Sequence, residues 1–191
     1  MNRRDALKYT ALSLGYALTA TTASAILHGC TADSAPDWLP STLTDPQIEA
    51  LSAIAETMLP ATESSPGAKD VFVHRFIDEL MTNWASEETR SKWLSDFDEL
   101  HTKIGGNTEE PAFHKMSAEE QHEVLSTLNT EALTAENPEP HEVYYKQLKG
   151  MIIGAYFTSE QIGKEVMAYD PIPGAYEGCI PYEEGDKAWS L

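Results

Sequence analysis

Cysteine is nearly absent: the 191-residue chain has two, Cys30 and Cys179. Two thiols cannot supply the ligands of an iron-sulfur cluster or a cysteine-built structural zinc site, and no C-x-x-C-H stands ready for covalent haem. Basic residues are scarce too, with 13 Lys and Arg against 31 Asp and Glu and a formal net charge of -18. A field of that sign repels phosphate backbones and anionic headgroups, which argues against nucleic acid as a partner. No G-x-S-x-G elbow is present. Gly105-Gly106-Asn107 reads as a helix stop rather than a phosphate loop following a strand. His141-Glu142 runs on into Val143-Tyr144-Tyr145, so the H-E-x-x-H of zinc proteases is never completed. No segment sustains the polar-apolar alternation of a half-buried strand, and there is no internal repeat.

The length suits one domain with a single core. The first thirty residues differ from the rest. Arg3, Arg4 and Lys8 precede a mildly apolar run, Tyr9 to Leu27, softened by hydroxyls and glycine; a basic start, an apolar middle and a small-residue end make an export signal. Asn2 to Lys8 resembles the twin-arginine signal, matching Arg3, Arg4, Leu7 and Lys8 with Ala6 where phenylalanine is usual. Two endings are written in the sequence. Ala23-Ser24-Ala25 would release a soluble chain, whereas Leu27-His28-Gly29-Cys30 resembles a lipobox, with Cys30 lipidated and the polar residues after it serving as a tether. The expected division is an export signal over 1–29, a tether over 30–45, a helical domain over 46–182 and an acidic tail over 183–191. The expected location is the periplasm, on a membrane through the lipid or through a partner. With Cys30 lipidated, Cys179 would bond another chain or be buried; with the earlier cut, the two could pair.

Helical periodicity dominates the chain beyond the tether. Asp45-Pro46 caps a helix carrying Ile48, Leu51, Ile54, Ala55, Met58 and Leu59 until Pro60. A second helix is expected from near Asp70, striped by Phe72, Val73, Phe76, Ile77, Leu80 and Met81. A third after Ser86 bears Trp93, Leu94, Phe97, Leu100 and Ile104, and Ser117 with Glu120 boxes a fourth with Val124, Leu125 and Leu128 inward. The fifth, from near Pro140, is the most apolar and is expected at the centre. Thr158 and Gln161 predict another capping box and a sixth helix, Ser159 to Tyr169. The fold class expected is all-α, an irregular bundle of five to six helices with a long Pro/Gly/Tyr-rich C-terminal segment.

One metal constellation competes with a non-catalytic reading. Asp98-x-x-His101 and Glu119-x-x-His122 each put a carboxylate and an imidazole on one helical face, the halves of a dinuclear site in a bundle. Both lie among exposed polar residues, where i,i+3 pairs of this kind arise readily. The histidines at 74, 101, 114, 122 and 141 read as residues of polar helix surfaces or loops, with His74, beside Val73 and near Phe76, the one expected to be partly buried.

The stretch from Tyr169 to Tyr182 is the least helical part of the chain. Pro171, Pro173 and Pro181 lack a backbone donor and push Asp170, Ile172 and Ile180 towards extended conformations; Pro173-Gly174 suits a type II turn. Tyr169, Ile172, Tyr176, Ile180 and Tyr182 are thereby carried on a stiff ribbon that either straps its own bundle or docks on another protein.

Three motifs in order, Leu59-Pro60-Ala61-Thr62 with Ser65-Pro66-Gly67-Ala68, then Gly154 to Glu160, then Tyr169 to Cys179, resemble the gluconate 2-dehydrogenase subunit 3 family. The resemblance implies a non-catalytic subunit with no cofactor or metal of its own. Its implied partners are a glucose-methanol-choline type flavoprotein holding FAD, a cytochrome c subunit or other acceptor, and the twin-arginine translocase during export. It also implies that Tyr156, Phe157, Tyr169, Pro171, Ile172, Pro173, Gly174, Tyr176 and Cys179 face the large subunit, with Cys179 placed for an inter-subunit disulfide. The alternatives are the dinuclear metal enzyme and a free-standing periplasmic lipoprotein.

Overall fold

A computed structural model describes residues 38–105, 112–172, 174, 179, 181 and 183–190. The chain divides into two units, Met1–Leu39 and Pro40–Leu191, and every described helix belongs to the second. Arg3, Arg4, Leu7, Lys8 and Cys30 lie outside the described residues.

Helix α1 spans Asp45–Met58 and buries Ala50, Leu51, Ile54 and Ala55. Its cap is Thr44 rather than Asp45: the Gln47 carboxamide reaches back to accept the Thr44 N–H at 2.9 Å. The loop after α1 is organised by Glu56, whose carboxylate accepts the backbone N–H of Ala61 at 3.2 Å and of Lys69 at 2.8 Å. Helix α2, Val73–Asn83, starts three residues later than the apolar spacing implies because Phe72 is left-handed, at φ 56 and ψ 39, a conformation that breaks the helical path. Val73, Ile77 and Met81 face inward as expected, whereas Phe72 and Phe76 are exposed. Asp78, on the buried side of α2, accepts backbone N–H groups from Ser41 at 2.9 Å, Thr42 at 3.0 Å and Leu43 at 2.7 Å, fastening the stretch of chain that leads into α1.

Helix α3, Glu87–Gly105, opens on Ser86, whose hydroxyl accepts the Thr89 N–H at 3.2 Å, and buries Trp93, Phe97, Leu100 and Ile104. A single 3₁₀ turn, Phe113–Lys115, inserts the fully buried Phe113. Helix α4, Ala118–Thr134, begins with the expected box, Ser117 N–H to Glu120 Oε2 at 2.8 Å and Glu120 N–H to Ser117 Oγ at 3.3 Å, and turns Leu125, Leu128 and Ala132 inward.

Helix α5, Pro140–Phe157, packs against α2, α3 and α4, while α1 closes the bundle against α2, α4 and the 3₁₀ turn. The central place of α5 follows from its composition, since Tyr144, Tyr145, Leu148, Ile152, Ala155 and Tyr156 are all buried. His141 is buried at its first turn rather than lying on a polar surface. The architecture is an all-α irregular bundle, with no strand among the described residues. Among those residues no helix is long and apolar enough to cross a membrane.

Candidate partner-docking site

The C-terminal end of α5 sets up the surface. Thr158 Oγ1 donates to Gly154 O at 2.7 Å and Ser159 Oγ to Tyr156 O at 2.7 Å. Both hydroxyls are thus turned back on α5, the capping box with Gln161 does not form, and the expected sixth helix shortens to a turn that becomes π-helical over Ile162–Val166. Ile162 is fully buried and pins this turn to the bundle.

The chain then leaves and returns. Ala168 forms an isolated parallel bridge with Trp189: its N–H donates to Ala188 O at 2.9 Å, and its carbonyl accepts the Ser190 N–H at 2.9 Å. Lys187 Nζ adds a bond to Glu165 O at 3.3 Å. The described residues between 169 and 187 therefore belong to a loop whose two ends are clasped together. Phe157, Tyr169 and Trp189 meet beside the clasp, lining with Gly163, Lys164 and Met167 a cavity of about 300 Å³. Phe157 and Tyr169 are about half exposed, Trp189 is 58% and Ile172 83% exposed. Pro171, Gly174 and Pro181 are exposed, and Cys179 is a free, exposed thiol. The Asp170 carboxylate accepts the Ile172 N–H at 3.0 Å, a local turn that stiffens the start of the loop along with Pro171. Pro173 and Tyr176 lie outside the described residues.

Tyr156 corrects the expected interface. It is only 5% exposed, its hydroxyl donates to Pro66 O at 2.8 Å and is also paired with Ser65 Oγ, and it ties α5 to the Ser65–Pro66 loop instead of facing outward. Its neighbour Phe157, about a hundred degrees further round the helix, is exposed, with its ring edge-on to Tyr156 at 5.2 Å. Trp189 is the member that sequence reasoning missed, hidden as a single aromatic in the acidic run Glu183-Glu184-Gly185-Asp186-Lys187-Ala188-Trp189.

The four candidate metal ligands are not assembled. Asp98 Oδ1 accepts from Gln47 Nε2 at 2.6 Å, and His101 stacks on Phe97 with ring centroids 6.1 Å apart. Burial first, then the neighbouring His114, hold the His101 imidazole below its ordinary value against the opposing pull of Asp98. His122 contacts Ser126 on its own helix at 3.4 Å. Among the described residues no group of three or more His, Cys, Asp or Glu converges as a metal site. His114 is engaged by Glu49 at 3.2 Å, joining the 3₁₀ turn to α1.

What these elements define is an all-α domain that displays a clasped, aromatic loop. The gluconate 2-dehydrogenase subunit 3 family matches residues 45–174, well over half of the chain, and the protein belongs to that family, accessory subunits of a dehydrogenase complex. No curated protein and no solved structure matches it. The family match ends at Gly174, so Cys179 and the Trp189 side of the clasp lie beyond it.

Proposed function

We propose that this chain is a non-catalytic subunit that escorts and stabilises a glucose-methanol-choline type, FAD-containing sugar or alcohol dehydrogenase subunit. The FAD belongs to that larger chain, which passes electrons to a cytochrome c subunit or another acceptor. Export uses the twin-arginine route, which carries folded cargo, through Arg3, Arg4, Leu7 and Lys8; Cys30 then anchors the assembly to a membrane in the periplasm.

The observation that carries the reading is the loop after Ala168: its described residues stand exposed, including Tyr169 and Ile172, although the bundle they adjoin is well packed. Apolar side chains displayed together in this way mark an interaction surface. Phe157, Tyr169, Pro171, Ile172, Pro173, Gly174, Tyr176 and Cys179 are its proposed contacts, and Cys179 is placed to bond across the interface.

Two changes test the reading. Replacing Arg3 and Arg4 together with lysine should leave both this chain and the flavoprotein in the cytoplasm. Cys179→Ser should abolish a covalent pair seen without reductant while the two chains still co-purify. Export of an active flavoprotein from cells lacking this chain would refute the escort role.

A further inference from the structure

The cavity beside the clasp has a chemistry that bears on what a partner must present there. Three rings from three stretches of chain line it: Phe157 at the end of α5, Tyr169 at the start of the loop and Trp189 on the returning limb. All three stay exposed, so their area is open to solvent instead of being spent on the core. Large apolar side chains gathered at one open cavity mark a binding surface, whereas the same residues scattered singly do not. A volume of about 300 Å³ is at the small end for a ligand pocket and gives room for one long side chain.

The polar part of the lining is weighted towards acceptors. Thr158 Oγ1 donates to Gly154 O and Ser159 Oγ to Tyr156 O, each at 2.7 Å. A hydroxyl has a single proton, so what these two still offer is lone pairs. Glu160 adds a carboxylate, and the one cation of the lining, Lys164, is held by it at 2.5 Å. The segments that frame the cavity carry exposed Glu165, Asp170, Glu183, Glu184 and Asp186, against Lys187 as the only further base among their described residues. A partner carboxylate or phosphate meets acceptors and negative charge. An aliphatic or aromatic residue covers the rings but strips water from the acceptors and returns no donor. An ammonium donates, but as a compact and strongly hydrated point charge. A guanidinium meets both demands, since it is a planar cation that lies on ring faces and donates through a fork of N–H groups. We propose that the clasp cavity receives an arginine side chain of the partner. Its guanidinium rests against Phe157, Tyr169 and Trp189 and donates to Thr158, Ser159 and Glu160. The partner surface around that arginine is basic, the complement of the acids that frame the cavity.

The identity of that partner as the flavoprotein rests on the escort role; the chemistry of the cavity does not, and the test keeps the two apart. The purified full chain is titrated with N-acetyl-arginine amide, with its neutral isostere N-acetyl-citrulline amide and with N-acetyl-leucine amide. The Trp189 indole N–H is followed by NMR, its signal assigned from Trp189→Phe. The expected result is a saturable shift with the arginine amide and binding about 3- to 10-fold weaker for the citrulline amide, the range for a cation on partly exposed rings. The leucine amide should bind no better than the citrulline amide. Phe157→Leu keeps an apolar wall without a ring face and should reduce the preference for arginine while leaving the melting temperature unchanged. A Trp189 signal unmoved by the arginine amide overturns the proposal. So does equal binding of the citrulline or leucine amide, or an undiminished arginine preference in Phe157→Leu. Selective arginine binding by a chain that never co-purifies with a flavoprotein would support the arginine site and refute the flavoprotein as its source.

Discussion

Asp78→Ala should be among the most destabilising single changes in this bundle. The Asp78 carboxylate is fully buried and receives three backbone N–H groups, those of Ser41, Thr42 and Leu43. The Leu43 bond is buried, whereas the Ser41 and Thr42 bonds are only partly so. Removing the acceptor strands one donor completely, at about 1–3 kcal/mol, and leaves two that water can partly rescue, at about 0.5–1 kcal/mol each. The sum, about 2–5 kcal/mol, is a large share of the 5–15 kcal/mol that holds a domain folded and corresponds to a fall in melting temperature of roughly 5–15 °C. Asp78→Asn should cost less. Thr42 and Leu43 share Oδ1, so an amide oxygen placed there keeps two of the three bonds. Thermal unfolding followed by circular dichroism gives the magnitude, and hydrogen exchange at the Leu43 amide gives the location. A fall under about 1 kcal/mol, or an unchanged Leu43 exchange rate, would show that the segment before α1 is held by something other than this carboxylate.

Other changes probe other joints. Gly67→Ala would place a Cβ 2.4 Å from Glu56 Oε1 and 2.8 Å from the Ala61 nitrogen. It should displace the carboxylate that organises the 59–70 loop and cost about 2–4 kcal/mol in denaturant unfolding; a neutral result refutes that close approach. The lowered pKa of His101, and of His74 where burial comes first and Lys69 adds to it, means that the folded state resists protons the unfolded chain takes up near pH 6.5. Stability should therefore be intact above about pH 6.5 and decline as the pH falls below it. Melting temperatures compared on either side of that pH, with His101→Phe showing a smaller drop, check the sign. Deletion of the last four residues, which removes Ala188 and Ser190, should open the clasp and speed hydrogen exchange at the Ala168 amide by at least about tenfold, the amide having lost its partner Ala188 O. Unchanged exchange would mean the loop is pinned elsewhere.

Much of the fold is legible because helix signals are local. The Ser117–Glu120 box, Pro140 in the first turn of α5 and the 3.6-residue stripes on α1, α3 and α4 each place an element without reference to anything distant. The failures are where a distant partner or a single dihedral decides. The apolar stripe from Phe72 gives no hint that Phe72 is left-handed. Thr158 and Ser159 could cap forward or bond backward, and the choice falls to the carbonyls of α5. Asp78 reads as one more acidic residue on a helix until three amides from 35–37 positions earlier converge on it. The exposed C-terminal region is legible as a run of proline, glycine and tyrosine, but its members are not: Tyr156 and Phe157 are adjacent in sequence, yet one is buried and the other exposed. Trp189 joins them through a bridge to Ala168 that no periodicity announces.

The bridge between Ala168 and Trp189 also changes the thermodynamics of association. A free terminal ribbon has to surrender its chain freedom when a partner captures it. Here the two ends of a segment of roughly twenty residues are brought together during folding, a closure entropy on the order of 2–3 kcal/mol that binding no longer has to supply. A partner meeting this loop freezes only the fluctuations that remain between two fixed points.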